Sequence, residues 1–371
     1  MLGVYVLSRV LVLAAAAVAA IVVPDPGAGP WVAIHGPHVG ILRALGRWDS
    51  AWYLDIAIHG YHLPSNPVGT HATYAFFPLF AWVVRVVSWV TFAPPLVIGP
   101  ALAVLFGGVA TVFVFMLVAD VYDEAAARRA AVLFCFFPGT FVLSMAYPEA
   151  LMLVLGTAAL LAYTRRRWVT AGVLGALAVM TRPNAAVLIV AFAWCAIVAA
   201  RRGDGRRQLV VPALTAAGLA FVVVYQWILT GHLFEWIRVE HTNWGDHFGL
   251  TFEALHRFIV FVTSGPIGTH EGQLNDLVWA GGWAIGLVGA YLLVRSRLPL
   301  VLKVYGVGAF VFACLSYTVG PRPRQLLSAF PIVIAYAVAT RGRTFRALIV
   351  ASAVGLAALS VVTFTTLAAV P

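Results

Sequence analysis

Long apolar runs broken by short polar connections constrain this chain more than any other feature. They cover residues 8–23, 97–119, 130–146, 148–163, 168–181, 185–200, 209–229, 277–294, 299–319, 325–340 and 347–368. Only 10% of the residues are charged, against roughly 25% in a soluble domain, so the chain cannot clothe a surface that faces water. In lipid every backbone polar group must be bonded within the protein, which leaves helices or a closed barrel. Runs of this length without alternation predict helices. The sequence therefore reads as an all-α integral membrane protein, one domain over residues 1–371, with about 11 transmembrane helices. The first run has only Arg9 as a basic residue before its Leu-Val-Leu-Ala stretch, and is predicted to be a retained span rather than a cleaved signal peptide.

Charge sets the orientation. Residues 74–93 form one further apolar run, and counting it as a span would put the basic loop ending Arg128-Arg129 outside. Its Arg85 and its aromatics Phe76, Phe77, Phe80, Trp82 and Trp89 suit a helix lying along the membrane surface instead. With that assignment, sixteen of the 24 basic residues fall on the inner side, Arg9 among them, and ten of the 14 acidic residues fall outside. The N-terminus is then cytoplasmic, and the basic pI of about 9.9 reflects membrane orientation rather than nucleic-acid binding. All ten histidines lie outside, so any chemistry belongs to the external loops 24–96 and 231–276 of a cell-membrane protein. Cys135, Cys195 and Cys314 sit in apolar runs with no ligand spacing and read as small core residues.

The segment Arg47-Trp48-Asp49-Ser50 through His59-Gly60-Tyr61 gathers two carboxylates, an arginine, a histidine and four aromatics in fifteen residues. Asp49 or Ser50 could serve only as a helix N-cap, with Gly60 as the stop. That leaves Arg47, Asp55 and His59 unexplained. On a helix Asp55 and His59 share one face, and Asp49, Trp52, Tyr53 and Ile56 another. Asp49 with aromatic walls from Trp48, Trp52 and Tyr53 suits a catalytic acid or base facing a sugar, while Asp55 and His59 suit a structural pair.

Three further motifs sit at predicted external tips. Pro321-Arg322-Pro323-Arg324-Gln325 places two arginines against the usual orientation bias, which calls for an anionic partner. A guanidinium fork suits phosphate, although snorkelling to lipid headgroups would also account for it. Thr181-Arg182-Pro183-Asn184 reads equally as a turn and as a second anion contact. In Ala146-Tyr147-Pro148-Glu149 the acid is placed in a supporting shell, paired with a nearby arginine. The 231–276 loop carries Glu235, Glu240-His241, Asp246-His247, His270 and Glu271, but with no zinc-ligand spacing, and reads as a solvated loop facing an acceptor. The absence of DxD, of GxxxxGK[ST] and of a GxGxxG turn argues against a nucleotide-sugar enzyme or an ATP-driven pump.

Taken in order, these motifs resemble the PIG-V-type mannosyltransferases, which add the second mannose in GPI-anchor synthesis, and their bacterial relatives. The matching pieces are Arg47-Trp48-Asp49-Ser50 with His59-Gly60-Tyr61, Phe76-Phe77-Pro78-Leu79, Phe137-Pro138, Tyr147-Pro148-Glu149, Thr181-Arg182-Pro183-Asn184 and Pro323-Arg324-Gln325-Leu326-Leu327. Ala185 stands where glycine is more usual, Gln325 where tyrosine is, and Pro148 and Ala150 where hydroxyl residues are. The resemblance implies a GT-C-like fold, a polyprenyl-phosphate mannose donor and transfer on the external face. It also implies that the first external loop holds the catalytic acid and forms interfacial helices.

Asp49 would take the proton of an acceptor hydroxyl. Arg322 and Arg324, with Arg182, would stabilise the leaving phosphate. Glu149 and Asn184 would support the substrate. Single displacement would invert the anomeric centre, and one carboxylate suffices because phosphate leaves without a proton. The scheme requires no cofactor or metal. The alternatives are a flippase for lipid-linked sugars, for which mid-span acids and broken helices are expected, and a non-catalytic subunit of a mannosyltransferase complex.

Overall fold

In a computed structural model the protein is a bundle of α-helices, described over residues 2–23, 40–61, 72–203, 206–245, 253–265, 270–316 and 320–365. The first external loop contributes more than connection. After α1 (Leu2–Val22) come the short α2 (Ile41–Leu45), α3 (Asp49–His59), a 3-10 turn at Ala72–Ala75 and α4 (Pro78–Thr91). The bundle continues through α5 (Pro95–Ala119), α6 (Glu124–Phe136), a 3-10 segment at Pro138–Ser144, α7 (Glu149–Thr164), α8 (Trp168–Val179), α9 (Val187–Arg201) and α10 (Val210–Thr230). It closes with α11 (Glu235–Trp244), α12 (Glu253–Ser264), α13 (His270–Arg295), α14 (Leu300–Leu315), α15 (Pro323–Ser328), α16 (Phe330–Ala339) and α17 (Gly342–Thr365). No strand occurs among the described residues.

Local sequence marks several of these boundaries. Asp123 caps α6, its carboxylate accepting the Ala126 N–H at 2.6 Å. Prolines 78 and 95 open α4 and α5, where the missing N–H has no helical partner to lose. Gly60, at φ 82°, stops α3 in a conformation that glycine adopts without strain.

Within the described residues each of the eleven apolar runs is mainly helical, but the helices differ in length. Among the described residues six helices are long and apolar enough to cross a membrane, and α6 with its 3-10 extension, bent by 72°, would make a seventh. The shorter α7 buries twelve of its 16 residues, so protein rather than lipid surrounds it. The run at 74–93 is helical only over 14 residues, about 21 Å, short of the roughly 30 Å hydrocarbon core. Its aromatics divide: Trp89 is exposed, whereas Phe76, Phe77 and Phe80 are buried in the protein. Sequence placed all of these at the membrane surface; Phe76 and Phe80 instead pack inward against Tyr53 of α3, and Phe77 against Trp236 of α11.

Arg9 corrects the charge assignment. It does not extend from a membrane end but lies buried within α1, 3% exposed. Its guanidinium donates to the Thr140 carbonyl (2.5 Å), Ser144 Oγ (3.2 Å), Thr140 Oγ1 (3.1 Å) and the Cys135 carbonyl (3.3 Å). These acceptors line the break after α6, where the helix leaves its last carbonyls without backbone partners. Arg9 supplies the donors, and so fixes the bend that carries the chain to Tyr147 and Glu149.

Candidate active site

Asp49 is the first residue of α3, and its position is built from both sides. Trp48 before it has a positive φ of 60°, a conformation uncommon for a bulky residue. It is held there: the Trp48 indole N–H donates to the Thr363 carbonyl at 3.0 Å, and the Arg47 guanidinium to the carbonyl of Phe364, both near the end of α17. The Asp49 backbone N–H donates to the Tyr147 hydroxyl at 3.1 Å. The Asp49 carboxylate is therefore not spent as a cap and points elsewhere.

It meets Arg324, whose Nη2 donates to Asp49 Oδ2 at 2.5 Å while its Nε donates to Glu149 Oε1 at 2.5 Å. Arg182 donates to the same Glu149 oxygen. Tyr147 lies beneath this bridge, its ring centroid 4.6 Å from the Arg324 guanidinium carbon, within cation–π range. Two acids and two arginines thus form one charge-balanced group. Glu149 is 1% exposed and Arg324 5%, whereas the Asp49 side chain is 28% exposed. Asp49 is the most exposed member of the group.

Backbone packing fixes the arginine. Pro323 opens α15, and a methyl group on Gly139 would overlap the Pro323 carbonyl, just as one on Gly282 would overlap that of Pro321. Glycine at these two places lets the 321–324 segment pack directly on its neighbours. One helical turn beyond Arg324, Ser328 Oγ accepts from Asn184 Nδ2 at 2.7 Å. The motifs around residues 49, 149, 182 and 324 are thereby joined through α15.

Trp52 stacks on Phe76 at 5.9 Å between centroids, and Tyr53 meets Phe76 and Phe80 edge-on at 5.2 and 5.7 Å. These contacts seat α3 against α4 and the segment before it. Burial pushes the Tyr53 phenol well above its ordinary range, so it stays protonated and does not serve as a base.

Several expectations change. Glu149, placed in a supporting shell, is the centre of the ion network, and the anion that Arg182 contacts is Glu149 itself. Arg47 and Trp48 anchor the turn through the Phe364 and Thr363 carbonyls. Asp55 and His59 form the pair expected of them, at 2.8 Å. Arg322 occupies the position before α15, makes no side-chain cap bond there and is partly exposed. In the second loop Glu235 is fully buried and paired with Arg238 at 2.6 Å, not solvated. Asp246 and His247, like His35, His38, His62 and His71, lie outside the described residues, as do the side chains of His270 and Glu271. Among the described residues no three metal-ligating side chains converge. Sequence reasoning gave no role to Tyr147, Ser328 or Gly139; only their places inside or beside the motifs hinted at one.

No curated protein matches the chain by sequence. Among solved structures, ArnT from Cupriavidus metallidurans bound to undecaprenyl phosphate superposes with a TM-score of 0.54 at 16% identity, over 95% of this chain and 63% of that one. Archaeal oligosaccharyltransferase AglB from Archaeoglobus fulgidus, in complex with an inhibitory peptide and a dolichol-phosphate, gives 0.49 at 15% identity, over 98% of this chain and 55% of that one. The chain spans less than two thirds of either protein's length, and at this identity the ArnT likeness establishes a GT-C-like fold. A family model described as mannosyltransferase (PIG-V) matches residues 6–201, including Asp49, Tyr147, Glu149, Arg182 and Asn184. With more than half of its length matched, the chain belongs to the PIG-V mannosyltransferase family.

Proposed function

We propose that this protein is a membrane glycosyltransferase that takes mannose from a polyprenyl-phosphate donor and passes it to a hydroxyl of a glycolipid or glycan acceptor, with inversion, on the external face of the cell membrane. The observation that carries the reading is the Arg324 bridge between Asp49 and Glu149. It sets a guanidinium fork beside the most exposed carboxylate of the site, the arrangement that transfer away from a phosphate requires.

The donor phosphate competes with Asp49 for Arg324. As it binds, Arg324 turns from the aspartate to the phosphate, while Glu149 keeps hold of Nε. Arg182 and Arg322 add positive charge nearby. Asp49, released from its partner, accepts the acceptor's hydroxyl proton. The acceptor oxygen forms its bond to the anomeric carbon as the bond from that carbon to the phosphate oxygen breaks. The negative charge stays on the polyprenyl phosphate, next to the guanidinium. A resting site whose charges balance internally avoids burying uncompensated charge between turnovers. The undecaprenyl phosphate held by ArnT supports a lipid-linked donor by likeness of fold.

The test is donor class. Purified protein, supplied with a membrane glycolipid extract, should transfer radiolabelled mannose from polyprenyl-phosphate mannose and not from GDP-mannose. Transfer from the nucleotide sugar alone would overturn the reading.

A further inference from the structure

A second site lies at the end of the bundle away from the carboxylate cluster. From Gly282, which packs on Pro321, α13 runs 13 residues to Arg295, about 20 Å. There the connections α5–α6, α13–α14 and α16–α17 line an open cleft of about 580 Å³, a size usual for small-molecule sites. Its rim carries Arg295, Arg297 and Arg341, and its wall is apolar, from Leu292, Ala335 and Val338. The rim is tied together, since the Arg297 backbone N–H donates to the Tyr122 hydroxyl at 2.7 Å.

The charges at this end do not balance. Arg128 is paired with Glu124 at 2.7 Å and Arg165 with Asp120 at 2.9 Å. Among the described residues Arg295, Arg297 and Arg341 have no carboxylate partner. The acid on the rim, Asp123, is engaged in capping α6. Behind the wall Arg129 donates to the Ala337 carbonyl at 3.2 Å, and its buried Nη2 has no acceptor. A helix C-terminus favours a cation in its last turn, which accounts for Arg295; Arg297 and Arg341 lie outside the helices.

We infer that this cleft binds a phosphate-bearing anion, and that the anion is the headgroup of an anionic membrane lipid. Guanidinium forks recognise phosphate oxygens, and basic pockets at the ends of membrane helices take anionic headgroups. The apolar wall suits the glycerol and first acyl carbons better than it suits a free ion.

The test is native mass spectrometry of the full-length protein in neutral detergent, titrated with phosphatidylglycerol or phosphatidylcholine. Wild type should retain phosphatidylglycerol at least about tenfold better, and Arg295→Gln/Arg297→Gln/Arg341→Gln should lose that preference. Arg201→Gln/Arg202→Gln/Arg206→Gln, on a different basic connection, should keep it. Unchanged preference in the first variant, or equal loss in both, would overturn the site. Displacement of the lipid by millimolar glycerol 1-phosphate would overturn the headgroup assignment in favour of a soluble phosphate; failure to displace it supports the headgroup.

Discussion

Asp49→Asn should make the protein bind lipid phosphate more tightly. In the unliganded site Arg324 is held by Asp49 at 2.5 Å, and a phosphate must displace that carboxylate. Asparagine keeps the shape, and the bond from its backbone N–H to Tyr147 is unaffected, but the competing charge is gone. Glu149 still holds Nε, so the guanidinium remains in place. The magnitude follows from burial. An exposed pair contributes about 0–1 kcal/mol, and disrupting a buried one costs about 3–5 kcal/mol. With Arg324 at 5% exposure and Asp49 at 28%, this pair lies between, at about 2 kcal/mol. That corresponds to about thirtyfold in Kd. The assay is titration of the purified protein with undecaprenyl phosphate, followed by tryptophan fluorescence. Arg324→Gln is the control and should weaken binding by about tenfold or more. Unchanged or weaker binding by a correctly folded Asp49→Asn protein would refute the competition between carboxylate and phosphate.

Other substitutions probe the scaffold. Arg9→Met should cost about 3 kcal/mol, because acceptors at the α6 break lose their donors; thermal unfolding in detergent with an unchanged midpoint would show that the buried charge contributes nothing net. Gly139→Ala should lower stability by about 1–3 kcal/mol and depress transfer together, since the added methyl pushes on Pro323 and thus on Arg324; wild-type transfer would mean that the 321–324 segment need not pack so closely. His59→Ala should change stability by less than about 1 kcal/mol, its ring being 55% exposed. Transfer should stay near wild type in that variant, and a large loss would bring the Asp55–His59 pair into the chemistry.

The membrane class and the helical runs were legible because lipid imposes a length and a composition on every span. Asp49, Arg182, Arg324 and Glu149 stood out because charge at a membrane edge is expensive to keep without a partner. Their mutual pairing was not legible: Asp49 and Arg324 are 275 positions apart, and no spacing rule reports which acid an arginine will choose. Tyr147 escaped notice because an aromatic beside a proline reads as ordinary packing until its hydroxyl is found on the Asp49 N–H. Arg9 was misread for a related reason. Near an N-terminus, a basic residue suggests a cytoplasmic flank, and only the break after α6 explains why it is buried instead. Residues 76–80 seemed interfacial because an aromatic helix suits a membrane surface as well as it suits an apolar protein face.

The central claim is that Asp49 is the base of a transfer from a lipid phosphate. The measurement that tests it most directly is single-turnover transfer of radiolabelled mannose from polyprenyl-phosphate mannose to a glycolipid acceptor, by wild type and by Asp49→Asn with donor saturating. Wild type should transfer, and the variant should lose about a hundredfold or more despite full donor occupancy. Equal rates for the two proteins would contradict the claim.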